Sequence, residues 1–148
     1  LSRIQVVQDS FANWPDDVQI ATCRQCQDAP CVKVCPTGAN SADPANGFVR
    51  RIDPDLCIGC KLCVTSCPFT PGRTQWNPDL RKSQKCDLCV DTPYLDEKGG
   101  PGHVQACVRV CPVGAISFTP LMPDQTREDS YDVNLRGAVW KQLGMTTE

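Results

Sequence analysis

Apolar and polar residues alternate over short distances along this chain, and no uninterrupted apolar run exceeds a few residues. The β-branched residues of the segment 3–7, Arg-Ile-Gln-Val-Val, predict a short strand. A second is expected at Gly47–Ile52, Gly-Phe-Val-Arg-Arg-Ile, ending at the turn Asp53-Pro54-Asp55, and a third at Ala115–Thr119. Between them the pattern predicts single helical turns such as Val32–Cys35. Each is stopped by the next proline, which lacks an N–H and disfavours helix in the residue before it. Residues 90–106 contain Pro93, Gly99, Gly100, Pro101 and Gly102 and read as a long loop, with His103 at its surface. Beyond Pro123 the acidic stretch Asp124–Asp132 leads into Asn134–Leu143. There Leu135, Ala138, Val139 and Leu143 recur at helical spacing, and Gly144 can end the helix. Residues 1–120 therefore read as the body, and residues 121–148 as a helical extension suited to an interface.

With 148 residues, 41% of them hydrophobic and 6% aromatic, the chain suits one domain or two small repeats with a modest core that needs staples. Twelve cysteines are the candidates, in three groups of four. They are Cys23, Cys26, Cys31 and Cys35; Cys57, Cys60, Cys63 and Cys67; and Cys86, Cys89, Cys107 and Cys111. Each group closes with Cys-x-x-x-Cys-Pro, at Pro36, Pro68 and Pro112. Such density signals disulfides or metal. Metal is favoured because the Cys-x-x-Cys pairs are spaced too tightly for ordinary structural disulfides, Cys-Pro recurs, and there is no Asn-x-Ser/Thr site.

The formal net charge is −2, unevenly spread: residues 36–85 carry seven Lys/Arg against four Asp, residues 86–148 five against nine Asp/Glu. No nucleic-acid footprint emerges. Arg50, Arg51, Lys61, Arg81, Lys82 and Lys85 either offset cluster and thiolate charge or form a solvated face, and the sequence singles out none of them. No membrane span and no signal peptide is read, which with reduced cysteines gives a cytoplasmic expectation. The chain begins at Leu1 rather than Met, so it is read as processed or as starting partway through a longer polypeptide.

The middle group, C-x2-C-x2-C-x3-C-P, matches the bacterial ferredoxin run. A [4Fe–4S] cube needs four thiolates. Its triplet supplies three, and in paired ferredoxins the last cysteine of one group ligates the cluster held by the other. That rule gives one cluster Cys23, Cys26 and Cys31 with Cys67, and its mate Cys57, Cys60 and Cys63 with Cys35. Cluster assembly and folding would then be one event. Gly59 is read as a turn glycine that also lets the backbone approach a sulfide. Ile58, Leu62, Val64, Val32, Val34, Val108 and Val110 are read as apolar walls against water or as ordinary core. For the third group two solutions stay open. Cys111 completes a cluster with Cys86, Cys89 and Cys107, giving three [4Fe–4S] clusters in all, or a further group upstream of Leu1 adds a fourth.

In the order of its groups the chain resembles the polyferredoxin-type electron-transfer subunits of molybdenum and tungsten pterin enzymes, such as dimethyl sulfoxide reductase and formate dehydrogenase. The likeness covers roughly residues 22–118. It rests on CRQCQDAPCVKVCPTGA from Cys23, GFVRRIDPDLCIGCKLCVTSCPF from Gly47, and KCDLCVD from Lys85 with ACVRVCPVGAI from Ala106. These three groups resemble the second, third and fourth of the family's usual four. Leu1–Val7, LSRIQVV, is similar to the strand after the first group in relatives partnered with tungsten aldehyde oxidoreductases and tungsten-dependent benzoyl-CoA reductase. The resemblance implies an α+β, bacterial-ferredoxin-like fold of pseudo-repeats, with short strands and helical turns around [4Fe–4S] clusters.

It also implies a non-catalytic conduit relaying single electrons to or from a pterin-containing catalytic subunit, tungsten favoured over molybdenum, with a further redox subunit or soluble carrier at the other end. No glycine-rich phosphate loop and no nucleophile with a histidine and acid points to substrate chemistry. A free-standing polyferredoxin, a zinc-binding interaction module and a secreted disulfide scaffold are the competing readings.

Overall fold

A computed structural model describes residues 3–8, 18–26, 28–90, 92, 99–100 and 103–117. The expected helix at Asn134–Leu143, the extension 121–148 and residues 118–119 of the expected third strand lie outside these. The chain divides into two compact units. The first comprises Leu1–Arg24, Ala29–Ser41 and Arg51–Cys86, and the second Gln25–Asp28, Ala42–Arg50 and Asp87–Glu148.

The described residues form a mixed α+β structure of short pieces. Three two-stranded ribbons pair β1 (Gln5–Gln8) with β2 (Val18–Ala21), β3 (Asn40–Asp43) with β4 (Val49–Ile52), and β5 (Gln75–Asn77) with β6 (Lys82–Gln84). In the first ribbon, antiparallel, Gln5 faces Ala21 and Val6 faces Ile20. In the third, also antiparallel, Trp76 faces Ser83 and Asn77 faces Lys82. The turn between β3 and β4 is a short 3₁₀ stretch, Pro44–Asn46, whose first N–H, on Ala45, donates to Asp43 Oδ1 at 3.1 Å. Gly47 follows with φ +66°, the left-handed conformation that costs glycine least. The strand expected over Gly47–Ile52 thus starts two residues later. The one expected from Ala115 does not form over Ala115–Ser117, where the chain instead curls around Cys111.

Among the described residues there are three helices, each one turn long: α1 (Pro30–Lys33), α2 (Leu62–Thr65) and α3 (Ala106–Arg109). Each carries a cysteine at its second position, Cys31, Cys63 and Cys107. Each ends on a right-handed cap, Val34, Ser66 or Val110, directly before Cys-Pro. The turn expected at Val32–Cys35 begins two residues earlier, because Pro30 at the first helical position has a preset φ and lacks only an N–H that needs no helical partner.

Among the described residues, buried apolar side chains are few. The first unit has Ala21, Ala29, Ala39, Cys57, Cys63 and Phe69, and the second has Val49. The expected apolar walls are largely absent: Ile58 (67%), Val110 (73%), Leu62 and Val34 are exposed, and only Val32, Val64 and Val108 are half-buried. A one-turn helix that buries its cysteine has turned the adjacent position about 100° away, so in α2 buried Cys63 leaves Leu62 outside. No helix of the described residues is long and apolar enough to cross a membrane.

Candidate metal centres

The cysteine loops owe their shape to one conformation used three times. In the first Cys-x-x-Cys of each group the residue before the second cysteine has a positive φ: Gln25 (53°), Gly59 (73°) and Leu88 (55°). Left-handed backbone turns the chain sharply enough to bring the next residue back, at a cost of roughly 1 kcal/mol or more for a residue with a Cβ. Gly59 avoids that cost, and it meets a second demand. A Cβ there would run into the Arg81 carbonyl oxygen and lie 3.0 Å from the Trp76 ring. The need for glycine comes from the β5–β6 hairpin lying against the loop, a constraint other than the sulfide approach expected from sequence. Gln25 bears the strain while its buried side-chain oxygen accepts from the Arg50 N–H at 2.6 Å.

Past each fourth cysteine the chain returns a backbone N–H toward the sulfur just left behind. Asn40 N–H donates to Cys35 Sγ at 3.3 Å, and Arg73 N–H to Cys67 Sγ at 3.1 Å. The Ile116 N–H does the same for Cys111. Two of these returns share the sequence Cys-Pro-x-Gly-Ala, with Gly38 (φ 70°) and Gly114 (φ 64°) making the bend. Burial pushes the Cys35 thiol up, but donors from Asn40, Thr37 and Ala39 together hold it below the ordinary thiol value. Cys111 is lowered chiefly by Ile116, burial opposing. The repeated Cys-Pro-x-Gly-Ala was the sequence signal for these donors, and spacing arguments about ligands alone passed over it.

Cys35, Cys57, Cys60 and Cys63 line one cavity in the first unit, together with Asn40, Ile58 and Ser83. Two cysteine groups meet there because α1 lies against α2. Asn40, fully buried, also ties the loops by donating from Nδ2 to the Cys31 carbonyl at 3.0 Å. Cys63 is raised above the ordinary thiol value, first by burial and then by the like charges of Cys31, Cys35 and Cys57, with Ser83 opposing. Gathering thiolates this way is unfavourable on its own, and a positively charged iron core held by them would offset it. Four sulfur donors around one cavity fit a [4Fe–4S] cluster. Among the described residues no three His, Cys, Asp or Glu side chains converge as a single metal ion requires.

The remaining expected ligands are distributed as follows. Cys23, Cys31, Cys67 and Cys86 belong to the first unit; Cys26, Cys89, Cys107 and Cys111 belong to the second. None of the twelve cysteines forms a disulfide. In the second unit the insertion closes at its base. Gly100 N–H donates to the Leu88 carbonyl at 2.8 Å, Gln105 Nε2 to the Gly100 carbonyl at 2.7 Å, and Ala106 N–H to Cys89 Sγ at 3.5 Å. A Cβ at Gly99 would collide with the Cys89 carbonyl. His103 is exposed. Of the six cations noted in the sequence, Lys61 sits 4.4 Å over the Trp76 ring, Lys82 Nζ donates to the Cys57 carbonyl, and Lys85 Nζ lies 3.9 Å from Cys31 Sγ.

The chain is 41% identical over 123 residues to protein NrfC of Escherichia coli (strain K12), covering 80% of this chain and 51% of that protein. It is 43% identical over 97 residues to the thiosulfate reductase electron transfer subunit PhsB of Salmonella typhi, covering 66% of this chain and 46% of the relative. An iron-sulfur protein of Rhodospirillum rubrum matches at 40% over 129 residues, 82% of this chain and 60% of that one. The chain thus spans about half the length of the curated relatives it matches. The model of the 4Fe-4S dicluster domain matches residues 17–121, every cysteine included, and the chain belongs to that family.

Proposed function

We propose that this chain is a non-catalytic electron-transfer subunit holding three [4Fe–4S] clusters in bacterial-ferredoxin-like pseudo-repeats. The observation that carries this reading is the cavity where Cys57, Cys60 and Cys63 meet Cys35 from a group more than twenty residues upstream. A bound cluster supplies a one-electron carrier. The chain's own residues hold it by thiolate, direct backbone N–H groups at ligand sulfurs, and partly screen it from water. By the same interlocking rule Cys23, Cys26 and Cys31 take Cys67; outside that exchange, Cys86, Cys89, Cys107 and Cys111 hold the third cluster. Segment 121–148, with its helical spacing of apolar residues, is an interface for a partner.

The partner is a pterin-containing catalytic subunit, with a further redox subunit or soluble carrier at the other end of the relay. Tungsten is the first reading of its metal, supported by the likeness of Leu1–Val7 to the tungsten-associated relatives. The similarity to an electron transfer subunit of a thiosulfate reductase favours a second reading, a molybdenum partner of the dimethyl sulfoxide reductase type. Reduced cysteines support placement in the cytoplasm.

Anaerobic purification of the native complex, with iron, sulfide, zinc, tungsten and molybdenum measured per chain, tests this. About twelve irons per chain, as three four-iron clusters require, are expected together with tungsten. Molybdenum in its place selects the second reading. Iron with neither metal makes the chain a free-standing polyferredoxin, and stoichiometric zinc without iron overturns the cluster reading.

A further inference from the structure

The segment that leads from β6 into the third cysteine group, Lys82-Ser83-Gln84-Lys85, alternates in burial. Ser83 and Lys85 are each 3% exposed, while Lys82 and Gln84 are half-buried. Successive side chains of an extended chain point to opposite sides, so Ser83 and Lys85 share one face and both are turned inward. Neither is a natural core residue. Lysine is almost never fully buried unless paired, and a buried hydroxyl without a partner is unfavourable.

What each meets inside explains its place. Lys85 Nζ lies 3.9 Å from Cys31 Sγ, so its partner is the third cysteine of the first group. Ser83 lines the cavity of Cys35, Cys57, Cys60 and Cys63, and its Oγ makes no hydrogen bond of good geometry within the protein. It is close enough to Cys63 to favour the thiolate there. One strand face therefore presents an ammonium to one cysteine group and a free hydroxyl donor to the other.

Resting on the reading of the cysteines as cluster ligands, we propose that Ser83 and Lys85 set the relative reduction potentials of two clusters, the one held by Cys35, Cys57, Cys60 and Cys63 and the one that takes Cys31. Reduction adds one negative charge to a cluster and its thiolates. A nearby cation or O–H donor stabilises the reduced form more than the oxidised form and raises the potential. Both groups act in a buried setting, where electrostatic effects are weakly screened. The full charge of Lys85 outweighs the hydroxyl dipole of Ser83. The strand thereby lifts the cluster at Cys31 above its mate and biases the electron toward it.

The test is a redox titration of the cluster-loaded chain, followed by electron paramagnetic resonance, after iron and sulfide have been counted. Wild type, Lys85→Met, Lys85→Arg and Ser83→Ala are compared. Lys85→Met is expected to shift one cluster's reduction equilibrium at least about tenfold toward the oxidised form, about 59 mV for a one-electron couple. Lys85→Arg restores most of it. Ser83→Ala shifts a different cluster in the same direction by less, namely the one whose signal Cys35→Ser removes. Unchanged potentials at full iron content, shifts to higher potential, or both variants moving the same cluster overturn the proposal. Should Lys85→Met fail to load, Lys85→Gln, which keeps donors without the charge, decides by the same criteria. A wild-type chain that binds no iron fails the cluster reading itself, and this proposal with it.

Discussion

The second and third cysteine groups solve one problem with different amounts of chain. Both place a left-handed residue before the second cysteine, set the third on a one-turn helix, and cap that helix just before Cys-Pro. In the second group only Lys61 and Leu62 separate Cys60 from Cys63; in the third, residues 90–106 separate Cys89 from Cys107. The longer path is tolerated because it is pinched shut where Gly100 bonds to Leu88, and α3 then restarts as α2 does. The local shape of a cysteine loop is thus portable across an insertion. A shared cavity is different, because it needs two groups far apart in sequence to fold against each other, as Cys35 and the second group do.

Iron removal should erase that distinction with the largest effect. With so few buried apolar residues among those described, chelation under anaerobic conditions is expected to abolish cooperative folding in both groups, seen as loss of far-ultraviolet dichroism and of amide protection. Retention of a cooperative transition without iron would mean that the short ribbons carry the fold by themselves.

Next in size is the contrast at the left-handed position. Gly59→Ala meets both the φ penalty and the Arg81 carbonyl and is expected to destabilise the loaded protein by about 2 kcal/mol or more. Leu88→Gly relieves a strained φ while losing half-buried contacts, so less than about 1 kcal/mol of change is expected by thermal or denaturant unfolding. Equal costs at the two sites would show that the hairpin adds nothing to the requirement at Gly59. Smallest of all, halving residues 91–98 should alter stability by roughly 0.6 kcal/mol and leave iron content unchanged, since loop closure depends weakly on length. A loss of about four irons per chain would show that the insertion supports a cluster.

The cysteine spacing and prolines made the helical turns legible, and the β-branched stretches marked β1 and β4. The sequence was silent on β5 and β6, which have no apolar alternation: Gln75-Trp76-Asn77 and Lys82-Ser83-Gln84 form strands through their pairing and their contacts with Gly59 and Cys63. It also treated six cations alike. Only tertiary contact distinguishes Lys85 beside a sulfur from Lys61 over an indole ring. Apolar walls were misjudged for a related reason: in α2 the single turn that buries Cys63 leaves Leu62 outside.

The exchange of a cysteine between groups is tested most directly by Cys35→Ser in the loaded chain, with Cys57→Ser and Cys31→Ser beside it. Cys35→Ser and Cys57→Ser are expected to perturb the same electron paramagnetic resonance signal, and Cys31→Ser a different one. Cys35→Ser sharing its loss with Cys31→Ser, while the signal removed by Cys57→Ser stays intact, would contradict the interlocked arrangement.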